Sequence, residues 1–354
     1  MSSTTALHTQ DTKFTQLGLQ KSIVNKEQVC CYTRSLENAT DQNPILVLIH
    51  GYPQSSYIKG WEEYVGKRLF VLMQRDRWRH FIPLLPSTAP LFVPDLPGYG
   101  ASAAIPQNDK LSVGRVVLEA LKTEVQNAKS SKADHDKIKV VVIGHDRGAR
   151  VSHHVSVSGV ENVDILGVCL IDIVPISTQW QHFASPAAAA AEVTGYFHWP
   201  FLANVDLATR MITAFGASNW CREMILHWAG KNTVGINTLK ADDALEVYGQ
   251  FFEQEHTLKA SCEDYREGAT TDVEREEKSN KEGRKINVPV LLVYSQAGIG
   301  SRFTFPDVWR EWVGEGVNIQ HHGLGDGVGH FGAEEAPKEC AEVVERWLKD
   351  VLQK

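Results

Sequence analysis

The sequence predicts an α/β fold in which a mostly parallel central sheet carries an inserted helical cap. Short runs of Val, Ile and Leu recur along the 354 residues with turn residues behind them, which is typical of strands buried in a parallel sheet. Segments with helical periodicity separate these runs, and this alternation builds an open parallel sheet. One long stretch rich in Ala, Trp, Phe and His breaks the alternation, and we interpret it as the cap.

Five apolar runs are the predicted strands. In chain order they begin at Ile45 (ILVLIHG), Leu91 (LFVPDLPG), Lys139 (KVVVIGHD), Gly167 (GVCLIDIVP) and Val288 (VPVLLVYS). Helices are predicted between strands from Val113 and from Arg147, and the chain closes with the helical segment EEAPKECAEVVERWLKDVL.

The break in the pattern divides the chain into three segments. We predict a first part of the core domain over residues 1–175, a helical cap over residues 176–285 and a second part of the core over residues 286–354. The charged run TTDVEREEKSNKEGRK at the downstream edge of the cap predicts a solvated helix face and a linker without chemistry. Because open parallel sheets bind ligands at the carboxyl ends of their strands, functional residues are expected there.

The composition indicates a soluble, cytoplasmic protein that acts on a small molecule. The net charge of −7 is mild and spread along the chain, which argues against a nucleic-acid partner. The sequence contains no run of about 18 apolar residues, so we predict no membrane span. The six cysteines are scattered without zinc-binding spacing. His153 and His154 diverge by roughly 100° on a helix, so we expect them to pack rather than to share one metal ion.

One motif carries the chemistry. Gly144-His145-Asp146-Arg147-Gly148 joins a predicted strand to a predicted helix and matches the G-x-nucleophile-x-G elbow, with an aspartate where many enzymes have serine. A carboxylate can displace a leaving group from an sp³ carbon and form an ester that water then cleaves, so carbon–halogen bonds and epoxides are its natural targets. The alternative is that Asp146 only caps the following helix.

Two further motifs lie in the chain order that such an enzyme needs. His50-Gly51-Tyr52-Pro53 follows a predicted strand, and the backbone N–H groups of Tyr52 and Arg147 are the expected oxyanion hole. Gly329-His330-Phe331 precedes the closing helix, and His330 is the expected general base.

The general base needs a carboxylate partner, and the segment QAGIGSRF after the last predicted strand contains none. The acid can also follow the strand before the cap, and at that position the segment CLIDIVP offers Asp172. We assign Asp172 as this acid and keep Asp307 and Asp326 as alternatives. Asp95, in LFVPDLPGYGAS, is interpreted as structural.

With these motifs the sequence resembles the fluoroacetate (haloacetate) dehalogenases of the α/β-hydrolase superfamily over nearly the whole chain. The resemblance implies an α/β-hydrolase fold, no cofactor and a homodimer. It implies that two arginines of the elbow segment GHDRGAR hold a substrate carboxylate, and that cap residues surround the leaving halide. In this sequence these are Arg147 and Arg150 for the carboxylate, His198, Trp199 and Tyr265 for the halide, and Trp228 as a further pocket residue.

Two other functions stay open. Epoxide hydrolases share the aspartate nucleophile, the HGxP loop and the late histidine, and cap tyrosines that could protonate an epoxide are Tyr196, Tyr248 and Tyr265. A catalytically silent ligand receptor on the same fold is the second alternative. Against the family pattern, about twenty extra residues, IKGWEEYVGKRLFVLMQRDR (58–77), follow the HGxP loop; they are either an extra helix over the pocket mouth or a wrongly included segment of the gene model.

Overall fold

A computed structural model describes residues 3–57, 77–129, 137–185 and 190–352. Over these ranges the chain forms an eight-stranded sheet, which confirms the predicted α/β fold. The strands are β1 (Gln20–Val24), β2 (Val29–Arg34), β3 (Ile45–Ile49), β4 (Leu91–Pro94), β5 (Ile138–His145), β6 (Val163–Ile171), β7 (Val290–Ser295) and β8 (Ile319–Leu324). Most of the predicted insert, residues 58–76, lies outside the described residues.

The sheet is mostly parallel, as predicted. Its strand order is β1-β2-β4-β3-β5-β6-β7-β8. At one edge β1 pairs with β2, and β2 with β4, in antiparallel orientation. The remaining neighbours, from β4 through β3 to β8, pair in parallel. The buried strand β3 lies beside β5, so the loops that follow both strands emerge at the same edge. Three strands, β1, β2 and β8, have no counterpart among the predicted runs. The partly exposed β8 reads IQHHGL, which lacks the apolar run expected of a buried strand.

Helices lie at both ends of the described chain, in the connections from β3 to β6, and in the long connection between β6 and β7. They are α1 (Ser3–Gln16), α2 (Arg77–Phe81), α3 (Lys110–Ala128), α4 (Arg147–Ser158), α5 (Ile176–Ala184), α6 (Ala190–Gly195), α7 (His198–Ala203), α8 (Val205–Phe215), α9 (Ala217–Trp228), α10 (Thr233–Lys240), α11 (Ala244–Phe252), α12 (Glu255–Gly268), α13 (Thr271–Lys281), α14 (Gly332–Glu335) and α15 (Pro337–Leu352). Short 3₁₀ helices are Leu36–Asn38, Ile82–Leu84, Ala241–Asp243, Ile299–Ser301 and Asp307–Trp309.

Helices α5 to α13 follow β6 and precede β7, in the region that the sequence assigns to the cap. The boundaries after residues 175 and 285 stay predictions. None of the helices in the part of the chain that the structure describes is long and apolar enough to cross a membrane.

The expectation of a solvated face on α13 is wrong for two of its acids. Asp272 is fully buried and accepts the backbone N–H of Lys110 at 2.9 Å, while the Lys110 ammonium group lies 3.3 Å from its other oxygen. Glu276 is buried too and accepts the backbone N–H of Ser177 at 2.9 Å. One face of α13 therefore ties this region to the core, while Glu274, Lys278 and Lys281 on the same helix are exposed.

The expectation that His153 and His154 diverge is also corrected. His153 Nδ1 lies 3.2 Å and His154 Nε2 lies 3.3 Å from the same oxygen of Glu276. The two rings present different nitrogens, so neighbouring side chains on α4 reach one carboxylate on α13. Burial lowers the pKa of His153, although Glu276 partly offsets this effect. The pair thus packs α4 against α13.

Candidate active site

Asp146 occupies the sharp turn between β5 and α4. Its φ of 47° and ψ of −116° are a backbone conformation that L-residues rarely adopt, as expected of a strained elbow. The turn needs glycine on both sides: a Cβ on Gly144 would lie 2.5 Å from the carbonyl carbon of Gly148, and a Cβ on Gly148 would lie 2.3 Å from the His50 carbonyl oxygen. The Asp146 side chain caps no amide of α4, which counts against the helix-cap alternative.

The oxyanion-hole residues lie beside this carboxylate. The N–H of Tyr52 donates a hydrogen bond to Asp146 Oδ2 at 3.2 Å. Arg147 is the first residue of α4, where backbone N–H groups have no acceptor within the helix. The Tyr52 hydroxyl accepts a hydrogen bond from Trp220 Nε1 at 2.7 Å, so a cap residue holds the ring.

His330 lies between two carboxylates. Its Nδ1 is 2.6 Å from Asp172 Oδ2 and its Nε2 is 3.6 Å from Asp146 Oδ1. Asp172 directly follows β6, and its other oxygen accepts the backbone N–H of Ser295, at the end of β7, at 2.8 Å. The adjacent parallel strands β6 and β7 therefore bring Asp172 to His330, from the position after β6 that the sequence favours.

The two other candidate acids lie elsewhere. Asp307 forms an exposed ion pair with Arg310 at 2.7 Å, and Asp326 is exposed. Asp95 is buried and accepts hydrogen bonds from Gln10 and from the backbone of Ser56, both at 2.8 Å, which fits its structural interpretation.

Neighbouring charges and hydrogen bonds shift the pKa values of His330 and Asp146. Burial disfavours the charged imidazolium, but the hydrogen bonds and charges of Asp146 and Asp172 outweigh burial and raise the pKa of His330 to about 10. Burial likewise opposes ionisation of Asp146, yet contacts with His330 and the charge of Arg147 hold its pKa well below the usual range. The site thus pairs an ionised Asp146 with a protonated His330.

The two elbow arginines occupy different places. Arg150 lines a cavity of about 420 Å³ that also reaches Asp146, and its Nη1 donates to the carbonyl oxygen of Val174 at 2.9 Å. Arg147 does not line this cavity. It is buried, pairs through Nε with Asp264 and lies with its guanidinium 4.2 Å from the centre of the Tyr265 ring.

Each arginine keeps an unused donor. Within the described ranges, neither Nη1 of Arg147 nor Nε of Arg150 has a hydrogen-bond partner, although both atoms are buried. Unpaired buried donors of this kind are rare in native proteins and often mark a place for a ligand or water.

Residues from the predicted cap region also line the cavity. His198, Trp199, Trp228 and Tyr265 all line it. The ring centres of His198 and Trp228 are 4.5 Å apart, and those of Trp199 and Tyr265 are 6.1 Å apart. The Arg150 guanidinium lies 4.7 Å from the Trp199 ring centre, a distance that permits a cation–π contact. The residues named from the resemblance, Arg147 excepted, thus face one cavity.

Two of these cap side chains also carry unused polar atoms. Burial lowers the pKa of His198 to about 3, so its ring is neutral at pH 7. Among the described residues, His198 Nδ1 and Trp228 Nε1 have no hydrogen-bond partner. Of the three candidate tyrosines, Tyr196 and Tyr265 line the cavity, whereas the Tyr248 hydroxyl does not and donates to Glu334 at 3.1 Å.

Several residues that support the site were not predicted from the sequence. Asp264, next to Tyr265, pairs with Arg147 and with the fully buried Lys110. Glu335 accepts backbone N–H groups next to His330. The acids flank recognised residues in SCEDYR and GHFGAEE, but position alone does not reveal their partners.

The chain is similar to known hydrolases. A model of the Alpha/beta hydrolase family matches residues 46–343. A fluoroacetate dehalogenase from Burkholderia sp. is 23% identical over 309 residues, which are 87% of this chain and 88% of that protein. A soluble epoxide hydrolase from Corynebacterium sp. (strain C12) is 26% identical over 298 residues, covering 83% and 86% of the two chains. The expected resemblance is confirmed.

A solved structure shares the fold. That of a candidate epoxide hydrolase from Pseudomonas aeruginosa superposes with a TM-score of 0.73 at 21% identity, covering 95% of this chain and 98% of the other. At this identity the likeness concerns the fold alone. The family model spans the elbow, the cap region and the late histidine, and the chain accordingly belongs to the alpha/beta hydrolase family and is a hydrolase.

Proposed function

We propose that this hydrolase removes the halide from a short 2-halocarboxylate and releases a 2-hydroxy acid. The observation that carries the proposal is that Arg150, which lines the cavity together with Asp146, has a buried Nε without a partner among the described residues. A guanidinium donor without an acceptor suits a substrate carboxylate, which it binds through a charge-assisted hydrogen bond. The resemblance names Arg147 as a second carboxylate ligand, but its side chain does not line the cavity and pairs with Asp264, so the proposal assigns the carboxylate to Arg150.

In the first step an Asp146 oxygen attacks the α-carbon of the substrate. A carbon–oxygen bond forms, the carbon–halogen bond breaks, and the halide leaves with the bonding electron pair. His198, Trp199 and Tyr265 are the proposed donors to the departing halide, and Trp228 completes the pocket wall. Donors that act on developing charge lower the barrier more than they strengthen substrate binding.

In the second step water cleaves the ester of Asp146. His330 Nε2 takes a proton from the water, while Asp172 holds Nδ1 and stabilises the imidazolium. The N–H groups of Tyr52 and Arg147 receive the oxyanion. Collapse of the tetrahedral intermediate breaks the bond between the Asp146 acyl carbon and the alkoxide oxygen, and His330 returns its proton to the alkoxide, so the 2-hydroxy acid leaves. The Asp146 carboxylic acid then passes its proton to His330, which restores the carboxylate.

The charge of Asp146 links the two steps. In the resting enzyme this carboxylate helps to raise the pKa of His330 to about 10. Ester formation removes the charge of Asp146, so the pKa of His330 falls, its Nε2 proton is released to solvent, and Nε2 can then act as a base. We infer that nucleophilic attack itself switches on the base for the next step.

Epoxide hydrolysis with the same nucleophile is the second candidate function. Tyr196 and Tyr265 line the cavity and are placed on the cap side, where an acid for the epoxide oxygen is needed. One relative is named a soluble epoxide hydrolase. The Tyr196 hydroxyl, however, lies 3.4 Å from Arg302 Nη1 and accepts a hydrogen bond there. The two functions differ in whether the substrate must carry a carboxylate.

The test follows free halide from fluoroacetate and chloroacetate with an ion-selective electrode, using Asp146→Ala as the blank. Arg150→Leu is expected to lower kcat/KM by about 10- to 100-fold, because a charge-assisted hydrogen bond is lost. Arg302→Leu is the matched control: Arg302 also lines the cavity but is paired with Glu192 at 2.7 Å. Silence toward both acids, together with turnover of a neutral epoxide, would replace the dehalogenase proposal with the epoxide hydrolase.

A further inference from the structure

We propose that Glu335 is a positioning residue for the general base: its buried carboxyl group holds the loop that carries His330 and ties this loop to the cap. The inference rests on the proposed role of His330 as the base. Glu335 is 5% exposed and ends the short helix α14, five residues after His330. It does not line the cavity, so it acts through other groups.

The carboxyl group accepts backbone hydrogen bonds from both sides of His330. Its Oε2 accepts the N–H of Gly329 at 2.8 Å and its Oε1 accepts the N–H of Phe331 at 3.1 Å. A third bond comes from the cap, where the N–H of Gly230 donates to Oε2 at 2.7 Å. Because buried amides need acceptors, one side chain completes the backbone bonding of both segments.

The cap segment and the histidine loop are in close backbone contact as well. The N–H of His330 donates to the carbonyl oxygen of Trp228 at 3.0 Å. A Cβ on Gly230 would lie 2.4 Å from the nitrogen of Gly329, so the two glycines touch where side chains would not fit. Trp228, which lines the cavity, and His330 are therefore held by the same set of backbone contacts. The Glu335 carboxyl group bonds to both segments.

The test uses Glu335→Gln. Glutamine has one acceptor oxygen, so its amide group must face at least one N–H of the clamped segments, and two donors repel each other. Misplacement on the order of 1 Å costs about 100-fold in rate, so we expect ester hydrolysis to slow about 10- to 100-fold. Attack by Asp146 does not use His330 as a base, so the initial burst of halide should change little. The covalent ester should therefore accumulate, as seen by intact-protein mass spectrometry after rapid quenching.

A matched control separates positioning from loss of charge. Glu339→Gln removes a carboxylate on α15 that contacts His322 at 2.7 Å with 44% of its side chain exposed, and it should keep the wild-type balance of the two steps. If Glu335→Gln fails to fold, as judged by circular dichroism, Glu335→Asp keeps both acceptor oxygens on a shorter side chain. It should shift the balance in the same direction. Equal slowing of both steps, or equal effects of the Glu335 and Glu339 variants, would overturn the proposal.

A second readout needs no substrate. NMR titration of the His330 ring, assigned with His330→Gln, should give a lower pKa in Glu335→Gln than in wild type. The reason is that a loosened loop holds the ring less closely to Asp146 and Asp172. An unchanged titration would refute the role of Glu335. A shifted titration in an enzyme that releases no halide would leave this role in place and refute the halocarboxylate substrate instead.

Discussion

Replacement of Asp172 by asparagine should stop the proposed reaction at the ester. Asp172 Oδ1 accepts the backbone N–H of Ser295 at 2.8 Å, and Oδ2 lies 2.6 Å from His330 Nδ1. An asparagine must keep its single oxygen on the Ser295 N–H, so its NH₂ group faces Nδ1. The His330 proton then moves to Nε2, and this nitrogen can no longer take a proton from water.

The expected loss is large because the wrong tautomer removes base catalysis. Comparable asparagine replacements in hydrolase triads cost about 10⁴-fold, and the barrier therefore rises by about 5 kcal/mol. Only the hydrolysis step should slow. Rapid mixing with chloroacetate should show a halide burst of about one equivalent per site, followed by almost no turnover. Intact-protein mass spectrometry should show a mass gain equal to the substrate acid without its halide.

Two matched variants make this result specific. Asp307→Asn and Asp326→Asn remove the other acids that the sequence leaves open, and both should retain wild-type turnover because these side chains are exposed. Normal turnover by Asp172→Asn would refute the assignment of the acid, and so would a block in Asp326→Asn. A lost burst in a folded Asp172→Asn protein would show that the acid acts before the ester forms.

Three further predictions follow from the geometry. In Asp146→Asn, the pKa of His330 should fall below its value of about 10, because an anion that favours the imidazolium is gone; NMR titration measures this, and an unchanged pKa contradicts the proposed coupling. Lys110→Met should lower the free energy of unfolding by about 3–5 kcal/mol in urea titrations, because it removes the buried ammonium group that lies between two buried aspartates; a change below about 1 kcal/mol contradicts this. Gly148→Ala should destabilise the protein by at least about 3 kcal/mol in thermal melts or prevent folding, because the new Cβ would meet the His50 carbonyl oxygen; a wild-type Tm would show that the elbow can relax.

Much of the fold was predictable because its signals are local. Apolar runs identified β3 to β7, and the elbow was recognisable because Gly144 and Gly148 leave room for a strained residue between a strand and a helix. The edge strands β1, β2 and β8 were missed; β8 is only partly buried and lacks a periodic apolar pattern.

Parts of the candidate site were not predictable because they depend on contacts between distant segments. The sequence named Arg147 as a substrate-binding residue, but its side chain pairs with Asp264, 117 residues away, and does not line the cavity. The charged run of α13 looks solvated as a sequence, yet Glu276 is buried against two histidines of α4.

The fold class, the elbow around Asp146 and the late His330 could be predicted from the sequence alone, because chain order, periodicity and flanking glycines encode them locally. The sequence also assigned Asp172 but left Asp307 and Asp326 open, and the folded chain chooses among them: Asp172 is 158 residues away and reaches His330 because β6 and β7 are neighbours in the sheet. It also decided that Glu335 clamps the loop around His330, since a carboxylate's partners depend on which amides packing leaves without an acceptor.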